Sequence, residues 1–254
     1  MISISSVLAA GPPAVAHQPL TVVSLNAARE TDPNRILRDV NRAPAVRDAD
    51  VLLLQEVAQA PDQTQCVAEH LAATLKRYVV YSPAATGVTD QGLAILSRYP
   101  LTNTDVRVLP AYNLVFRSRS RIALSTTVQA PSGPVRVTNA HLDTRINAAD
   151  RIRQLAPVLT DGFAGRRIVA GDFNTNEFYW VGRLLPLPVP GIQTSRVRDF
   201  MILNGFANAV AGSPVTHDLM MRLDWIFARG LNGSRWAVYP LPFSDHHALW
   251  VEMH

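Results

Sequence analysis

The sequence predicts an α+β fold or a layered sandwich, and three observations indicate it. Short apolar runs typical of strands recur along most of the chain, with a few segments at helical spacing between them. Helices and strands do not alternate one for one, as they would in a doubly wound parallel sheet. The chain has 254 residues, of which 48% are hydrophobic and 17% charged, so it can fill a sizeable core and wholesale disorder is excluded.

Residues 1–18 are predicted to form a tail and residues 19–254 a single domain. The tail is weakly apolar, and Ala14-Val15-Ala16 resembles a cleavage site, but the positive start of an export signal is missing. The tail is therefore interpreted as a remnant export signal or as a loose start. Export is slightly favoured over a cytoplasmic location, and the lone Cys66 fits either compartment.

The first half of the domain is predicted to contain two helices among several strands. Thr21–Leu25 is a β-branched run, and Asp50–Leu54 is a continuous apolar run typical of a strand covered on both faces. Asp32 and Pro33 are typical of an N-cap and a first helical residue. The remaining elements expected here are a helix over 62–76 and strands over 78–81, 92–97, 104–109, 120–129 and 135–141.

The second half is predicted to hold two further helices. Residues 147–160 have helical spacing, although Pro157 should kink or end that helix. Residues 176–195 resemble a loop, and 196–203 are expected to form a helix that ends before Asn204-Gly205. The strands expected in this half are 167–170, 222–228, 235–239 and 247–253.

Polar residues interrupt or follow six of the apolar runs. Charged groups beside core strands are costly to bury unless they are paired or bind a metal ion. Repetition of this pattern predicts one shared site at one end of a sheet. The residues are Asn26, Glu56, His141 with Asp143, Asp172 with Asn174, Asp224, and Asp245 with His246.

These residue types suit metal-assisted chemistry on a phosphate ester. Carboxylate and amide oxygens are ligands for Mg²⁺, Mn²⁺ or Ca²⁺, and Asn26, Glu56 and Asp245 are the predicted ligands. A bound cation would polarise a phosphoryl oxygen.

The other residues of the set are predicted to act on the phosphate and on water. Asp172 is expected to deprotonate an attacking water that Asn174 positions. His141 and His246 are expected to donate to the phosphate, with Asp224 behind His246.

Structural interpretations stay open beside the functional ones. Asn26 is also typical of a turn or cap, and Asp172-Phe173-Asn174 of an Asx turn. Asp143 is expected to pair with Arg145 on the surface. The three remaining histidines of interest are interpreted as structural or solvent-exposed, namely His217, His247 and His254.

Seven segments in order resemble the endonuclease/exonuclease/phosphatase superfamily, also called DNase I-like, and they cover nearly the whole chain after about residue 19. They are Ser24-Leu25-Asn26, Leu54-Gln55-Glu56, Gly92–Arg98, Asn139–Asp143, Gly171–Asn174, Arg222–Phe227 and Ser244-Asp245-His246. The resemblance implies a four-layered α/β/β/α sandwich, with two packed mixed sheets flanked by helices. It also implies metal-dependent hydrolysis of phosphate esters by a catalytic domain spanning residues 19–254.

The resemblance assigns roles that agree with the chemistry above. It implies a metal cluster of Asn26, Glu56 and Asp245. It places Asp172, Asn174 and His246 at the scissile phosphate, with Asp224 behind His246. His141 is similar to a second active-site histidine that the apurinic-endonuclease branch lacks, which argues against a dedicated abasic-site enzyme.

Nucleic acid is the favoured substrate, bound by a monomer. The net charge is +4, and every basic residue except Lys76 is arginine, which suits phosphate contacts but also fits an arginine-rich genome. Arginines on one strand face would track a phosphate backbone and aromatic side chains would stack on bases, unless that face is merely solvated. The candidate substrate-binding residues are Arg117, Arg119, Arg121, Arg145, Tyr179 and Trp180.

Two other functions are weighed. A phospholipid, phosphoinositide or sphingomyelin phosphoesterase would use the apolar stretch 184–192 as a membrane-touching lip, although no apolar run is long enough to span a bilayer. A catalytically silent binding protein on the same fold would show no turnover with metal. The complete motif set favours an enzyme, and family resemblance alone does not fix the substrate.

Overall fold

The protein is described from a computed structural model that covers residues 18–59, 65–84, 92–112, 121–144, 146–160, 162–175, 192–212 and 214–254. Within them lie two six-stranded sheets, the first in the order β11-β12-β1-β2-β4-β3 and the second in the order β5-β6-β7-β8-β10-β9. The strands are β1 (Leu20–Asn26), β2 (Val51–Val57), β3 (Tyr78–Ser82), β4 (Gly92–Ser97), β5 (Leu101–Val108), β6 (Ile122–Ala130), β7 (Gly133–Ala140), β8 (Arg166–Asp172), β9 (Ala207–Asn208), β10 (Asp224–Arg229), β11 (Gly233–Pro240) and β12 (His247–Met253).

The helices begin where local sequence signals favour a start. The side chain of Asp32 accepts a hydrogen bond of 2.9 Å from the backbone N of Asn34, which confirms the predicted N-cap. Pro157 ends regular helix as predicted, since the α-helix gives way to a 3₁₀ turn at Ala156–Leu159. The α-helices are α1 (Pro33–Asn41), α2 (Pro44–Arg47), α3 (Val67–Leu75), α4 (Ala148–Leu155) and α5 (Ile192–Leu203).

The structure departs from the helix predictions in two places. Helix α5 begins at Ile192, so the predicted loop over 176–195 extends four residues too far. Helix α2 was not predicted; its single turn has Pro44 at the first position, a signal too short to show periodicity. No helix in the described ranges is long and apolar enough to cross a membrane.

Apolar residues on both faces of the strands produce the layers. In β2, Val51 and Leu53 pack between the two sheets, whereas Leu52 and Leu54 pack against α1, α2 and α3. On the far side of the second sheet, residues such as Val169 pack against α4 and α5. Three apolar layers therefore separate four structural layers, and the predicted α/β/β/α sandwich is confirmed.

The inner faces of the two sheets turn polar at one end. Val22 and Ser24 of β1 are followed on the same face by Asn26, and Ile168 and Ala170 of β8 by Asp172. Strands β1 and β2 are parallel, as are β7 and β8, so their carboxyl ends meet there. Strands β10 and β12 run antiparallel to β8 and β1, so the residues at their starts reach the same edge.

Candidate active site

A cavity of about 400 Å³ opens at this polar edge between the sheets. It contains six of the residues singled out from the sequence: Asn26, Glu56, Asp172, Asn174, Asp245 and His246. His141 and Asp224 are buried in contact with them. The structure thus brings together all eight residues predicted to act in catalysis and metal binding.

Asp172 lies at the centre of the hydrogen-bond network. Its Oδ2 accepts a bond of 3.0 Å from Asn26 Nδ2, contributed by the other sheet, and its Oδ1 accepts a bond of 2.9 Å from the backbone N of Asn174. Burial raises the pKa of Asp172 above the usual range of a carboxyl group, although the charge of His246 opposes the shift. A carboxylate whose pKa is raised by burial is suited to accept a proton.

The short bond between His246 and Asp224 orients the imidazole. Nδ1 of His246 lies 2.9 Å from Asp224 Oδ2, and its Nε2 lies 3.8 Å from Asp172 Oδ2. Burial disfavours the charged imidazolium, but the carboxylates of Asp224 and Asp172 outweigh it and raise the pKa of His246 to about 10. His246 is therefore a cation at neutral pH.

His141 approaches the same carboxylate from the second sheet. Its Nε2 lies 3.4 Å from Asp172 Oδ2, and its Nδ1 lies 3.1 Å from Arg121 Nη1. Arg121 is 9% exposed, so it lies in the buried wall of the site and not on an exposed strand face. Burial is the main reason that the pKa of His141 falls well below its ordinary value, and the positive charges of Arg121 and His246 lower it further.

Asn26, Glu56 and Asp245 line the cavity and fit a hard divalent cation by their chemistry. Two carboxylates and an amide oxygen are the ligands that Mg²⁺ and Ca²⁺ accept. Glu56 Oε2 is 3.2 Å from Arg29 Nε, and Asp245 Oδ2 is 3.4 Å from His217 Nε2. His217 lowers the pKa of Asp245 to about 2, so Asp245 is ionised and able to serve as a ligand.

Unusual backbone conformations aim two of these side chains. Glu56 has φ of 49° and lies in a bulge of the β2–β4 pairing, so its side chain leaves the alternation of the strand. Gly171 has φ of +136°, and a Cβ there would lie 2.0 Å from the carbonyl oxygen of Ala140. Only glycine therefore lets β8 approach β7 just before Asp172.

Two buried side chains hold the walls of the site. Arg151, on α4, donates to the carbonyl oxygens of Asp143, Thr144, Ile146 and Phe173. Between the sheets, Gln55 Nε2 donates to Asn139 Oδ1 at 2.7 Å. The first contact fixes the loop after β7, and the second joins the strands that lead to Glu56 and His141.

Two sequence interpretations need correction. Asp143 is 3% exposed, and its backbone N donates to Gln154 Oε1, so it lies in the interior and not on the surface. Arg145 lies outside the described residues, so the pairing of Asp143 with it stays a prediction. Of the two interpretations of His217, structural or solvent-exposed, the second is wrong, because His217 is 7% exposed and its ring contacts that of His246 at 4.8 Å between centroids. No sequence signal marks His217, because it lies in an irregular segment whose contacts with Asp245 and His246 exist only in the tertiary structure.

Five predicted substrate-binding residues lie outside the described residues: Arg117, Arg119, Arg145, Tyr179 and Trp180. The apolar stretch 184–192 does so as well, apart from the start of α5. Their proposed roles stay predictions.

Solved structures with this fold are numerous, and three illustrate the range. The endonuclease/exonuclease/phosphatase from Beutenbergia cavernae has a TM-score of 0.71 at 21% identity, covering 93% of this chain and 72% of its own. A family protein from Leptotrichia buccalis has a TM-score of 0.69 at 18% identity, and the match covers 92% of this chain and 99% of that protein. D. rerio TDP2, complexed with single strand DNA product, has a TM-score of 0.65 at 17% identity, and the match covers 93% of this chain and 99% of that protein.

Comparison with curated proteins finds no match. The sequence profile of the Endonuclease/Exonuclease/phosphatase family, in contrast, matches residues 23–246, from within β1 to the site histidine that precedes β12. The chain therefore belongs to this family of hydrolytic phosphoesterases, with its DNase I-like fold.

Proposed function

We propose that this protein is a divalent-metal-dependent phosphodiesterase whose preferred substrate is nucleic acid. One observation carries the proposal. The Nε2 atoms of His141 and His246 lie 3.4 and 3.8 Å from the same oxygen of Asp172, and Asp224 holds His246 from behind. The two histidines can donate hydrogen bonds to a phosphate, and the buried carboxylate beside them can act on the water that attacks it.

The residues divide the reaction between them. Asp172 accepts the proton of the attacking water, whose oxygen forms the new bond to phosphorus while the bond to the leaving oxygen breaks. Cationic His246 and neutral His141 donate to the phosphate oxygens, where negative charge accumulates. Asn174 holds Asp172 through its backbone N–H and lines the space where the water must lie.

Asn26, Glu56 and Asp245 would hold the cation. When bound, a divalent cation supplies positive charge to a phosphoryl oxygen. Asn26 also donates to Asp172, so it connects the proposed metal position with the proposed base. Mg²⁺ is the ion we favour, with Mn²⁺ or Ca²⁺ as substitutes.

Two observations favour nucleic acid as the substrate. The net charge of +4 attracts a polyanion, although modestly. The structural neighbour TDP2 is recorded in complex with a single strand DNA product. We propose that Arg117, Arg119, Arg145, Tyr179 and Trp180 contact that substrate.

The test is nicking of supercoiled plasmid with Mg²⁺, Mn²⁺ or EDTA, for the wild type, His246→Ala and His254→Ala. His254 is the matched control because it is exposed and pairs with Glu252 away from the cavity. We expect metal-dependent nicking that His246→Ala abolishes and His254→Ala keeps. Absence of nicking by folded wild type, with every metal, would refute the nucleic-acid assignment.

A phospholipid phosphoesterase is the second candidate, and one observation favours it. Leu219 and Met220 are each 57% exposed and lie in sequence between His217 and Met221, which line the cavity. Such side chains would insert into a lipid surface. Metal-dependent release of headgroups from liposomes, with sedimentation of the protein on them, would favour this function over the first.

A further inference from the structure

Arg121 lies behind the catalytic imidazole of His141, a position that the phosphate chemistry alone does not require. Arg121 immediately precedes β6, and His141 immediately follows β7. The antiparallel pairing of Ala123 with Ala140 brings these two residues together. The guanidinium Nη1 then lies 3.1 Å from His141 Nδ1, and both side chains are buried.

The contact determines which ring nitrogen of His141 carries a proton. A guanidinium has only donors, so Nδ1 of His141 must accept the bond from Arg121. A ring nitrogen that accepts a hydrogen bond carries no proton, and the single proton of the neutral imidazole is then on Nε2. Arg121 thereby excludes the Nδ1–H tautomer and also the doubly protonated ring.

The Nε2–H group faces the reacting centre. Nε2 of His141 is 3.4 Å from Asp172 Oδ2 and 4.0 Å from Glu56 Oε1, and none of the described residues makes a geometrically good hydrogen bond to it. A buried donor held near carboxylates without a satisfied bond is ready for another acceptor. The cavity beside Asp172 offers space for a phosphate oxygen.

We propose that Arg121 is a positioning residue that locks His141 in the neutral Nε2–H tautomer, so that His141 acts as a hydrogen-bond donor to the substrate and neither as a cation nor as a base. The nature of the acceptor, a phosphate oxygen, rests on the proposed function. The tautomer does not, because it follows from the Arg121 contact alone.

The first experiment measures the tautomer directly in the metal-free protein. Long-range proton–nitrogen NMR correlations of ¹⁵N-histidine-labelled protein distinguish the two neutral tautomers and the charged ring, and His141→Gln identifies the His141 signals. We expect an unprotonated Nδ1 and a protonated Nε2 at neutral pH. A proton on Nδ1, with or without one on Nε2, overturns the proposal whether or not the protein cleaves phosphodiesters.

The second experiment removes the guanidinium. Arg121→Met should allow the Nδ1–H tautomer to appear and lower kcat by about 10–100-fold, as loss of a group that orients a histidine commonly does, with a smaller change in KM. Arg121→Lys, which keeps a cationic donor, should restore the tautomer and part of kcat. An unchanged His141 tautomer in Arg121→Met overturns the proposal.

A matched variant controls for loss of a buried arginine. Arg136 lies in the first half of β7, the strand that precedes His141, and donates to the carbonyl oxygen of Asn103. Arg136→Met should leave the His141 tautomer and kcat as in the wild type. If Arg121→Met does not fold, Arg121→Lys is compared with the wild type in the same NMR measurement. A His141 tautomer in Arg121→Lys other than Nε2–H refutes the proposal that a cationic donor holds the tautomer.

Discussion

The two sheets contribute to the site in different ways. From the second sheet, Asp172 and Asp224 are almost fully buried, with side chains 2% and 0% exposed, and His141 is held by Arg121. From the first sheet, Glu56 and Asp245 face the opening, with side chains 15% and 59% exposed, beside the half-exposed Arg29. The buried groups proposed to act on water are fixed before substrate arrives, whereas two of the three proposed metal ligands face the opening.

This difference in burial indicates whether folding or cation binding fixes the geometry of each group of side chains. Buried polar groups must satisfy one another within the fold, so their geometry is determined by folding. Exposed carboxylates repel one another weakly and gain a fixed geometry when a cation binds. Substitutions of the buried groups Asp172 and Asp224 should therefore change turnover or stability, and substitutions of Glu56 and Asp245 should change metal dependence.

The largest expected effect is on turnover, from Asp172→Asn. Loss of a general base lowers the rate by about 10²–10⁴-fold. The melting temperature should stay equal or rise, because burial raises the pKa of Asp172 and the folded protein bears a cost for its charge. Plasmid nicking and thermal unfolding measure the two effects. Asp199→Asn, at an exposed carboxylate of α5, is the control and should change neither. Full turnover in Asp172→Asn would contradict its role as the base.

The next effect is on stability, from Arg151→Met. The substitution leaves four carbonyl oxygens around the loop after β7 without their guanidinium donor. Urea unfolding should show a loss of about 3 kcal/mol or more. Arg153→Met tests the same change two residues along α4, where the side chain is 65% exposed and pairs with Asp150. There the loss should stay below about 1 kcal/mol. Equal losses in the two variants would refute the special role of Arg151.

Glu56→Gln should change metal dependence more than the fold. We expect Mg²⁺ to raise the melting temperature of the wild type and to do so less in the variant. The Mg²⁺ concentration needed for half-maximal activity should rise by about 10-fold or more, with activity partly restored at high Mg²⁺. Glu30→Gln is the control, because Glu30 pairs with Arg35 outside the cavity. An unchanged Mg²⁺ requirement in Glu56→Gln would remove Glu56 from the proposed ligands.

A further prediction concerns the pH dependence of stability. Because the folded protein raises the pKa of His246 from 6.5 to about 10, its stabilising contribution is complete below pH 6.5 and is lost as pH rises towards 10. In EDTA, the free energy of unfolding should decline over this interval in the wild type and less steeply in Asp224→Asn. Asp218→Asn, which removes the exposed partner of His247, should keep the wild-type slope. The same slope in Asp224→Asn would contradict the charge pairing.

Sequence reasoning recovers the parts of this molecule that depend on local pattern. Short apolar and β-branched runs identified most strands. Polar residues at strand ends identified the cavity, because strand direction alone brings those ends together. Contacts between distant segments could not be predicted. Arg151 and His217 occur in unremarkable contexts and acquire their roles only through tertiary neighbours. Arg121 was assigned to an exposed strip by strand alternation, which cannot show that the strand end turns into the core.

The pairing of β1 with β12 has a consequence for biosynthesis. Leu20 pairs with Met253 and Ser24 with Leu249, so the middle of the first sheet joins segments separated by more than two hundred residues. A ribosome must release almost all of this sequence before β12 can take its place beside β1 and bring His246 to Asp224. The contact between His246 and Asp224 therefore forms only after β12 has docked, so a partly synthesised chain lacks this half of the site.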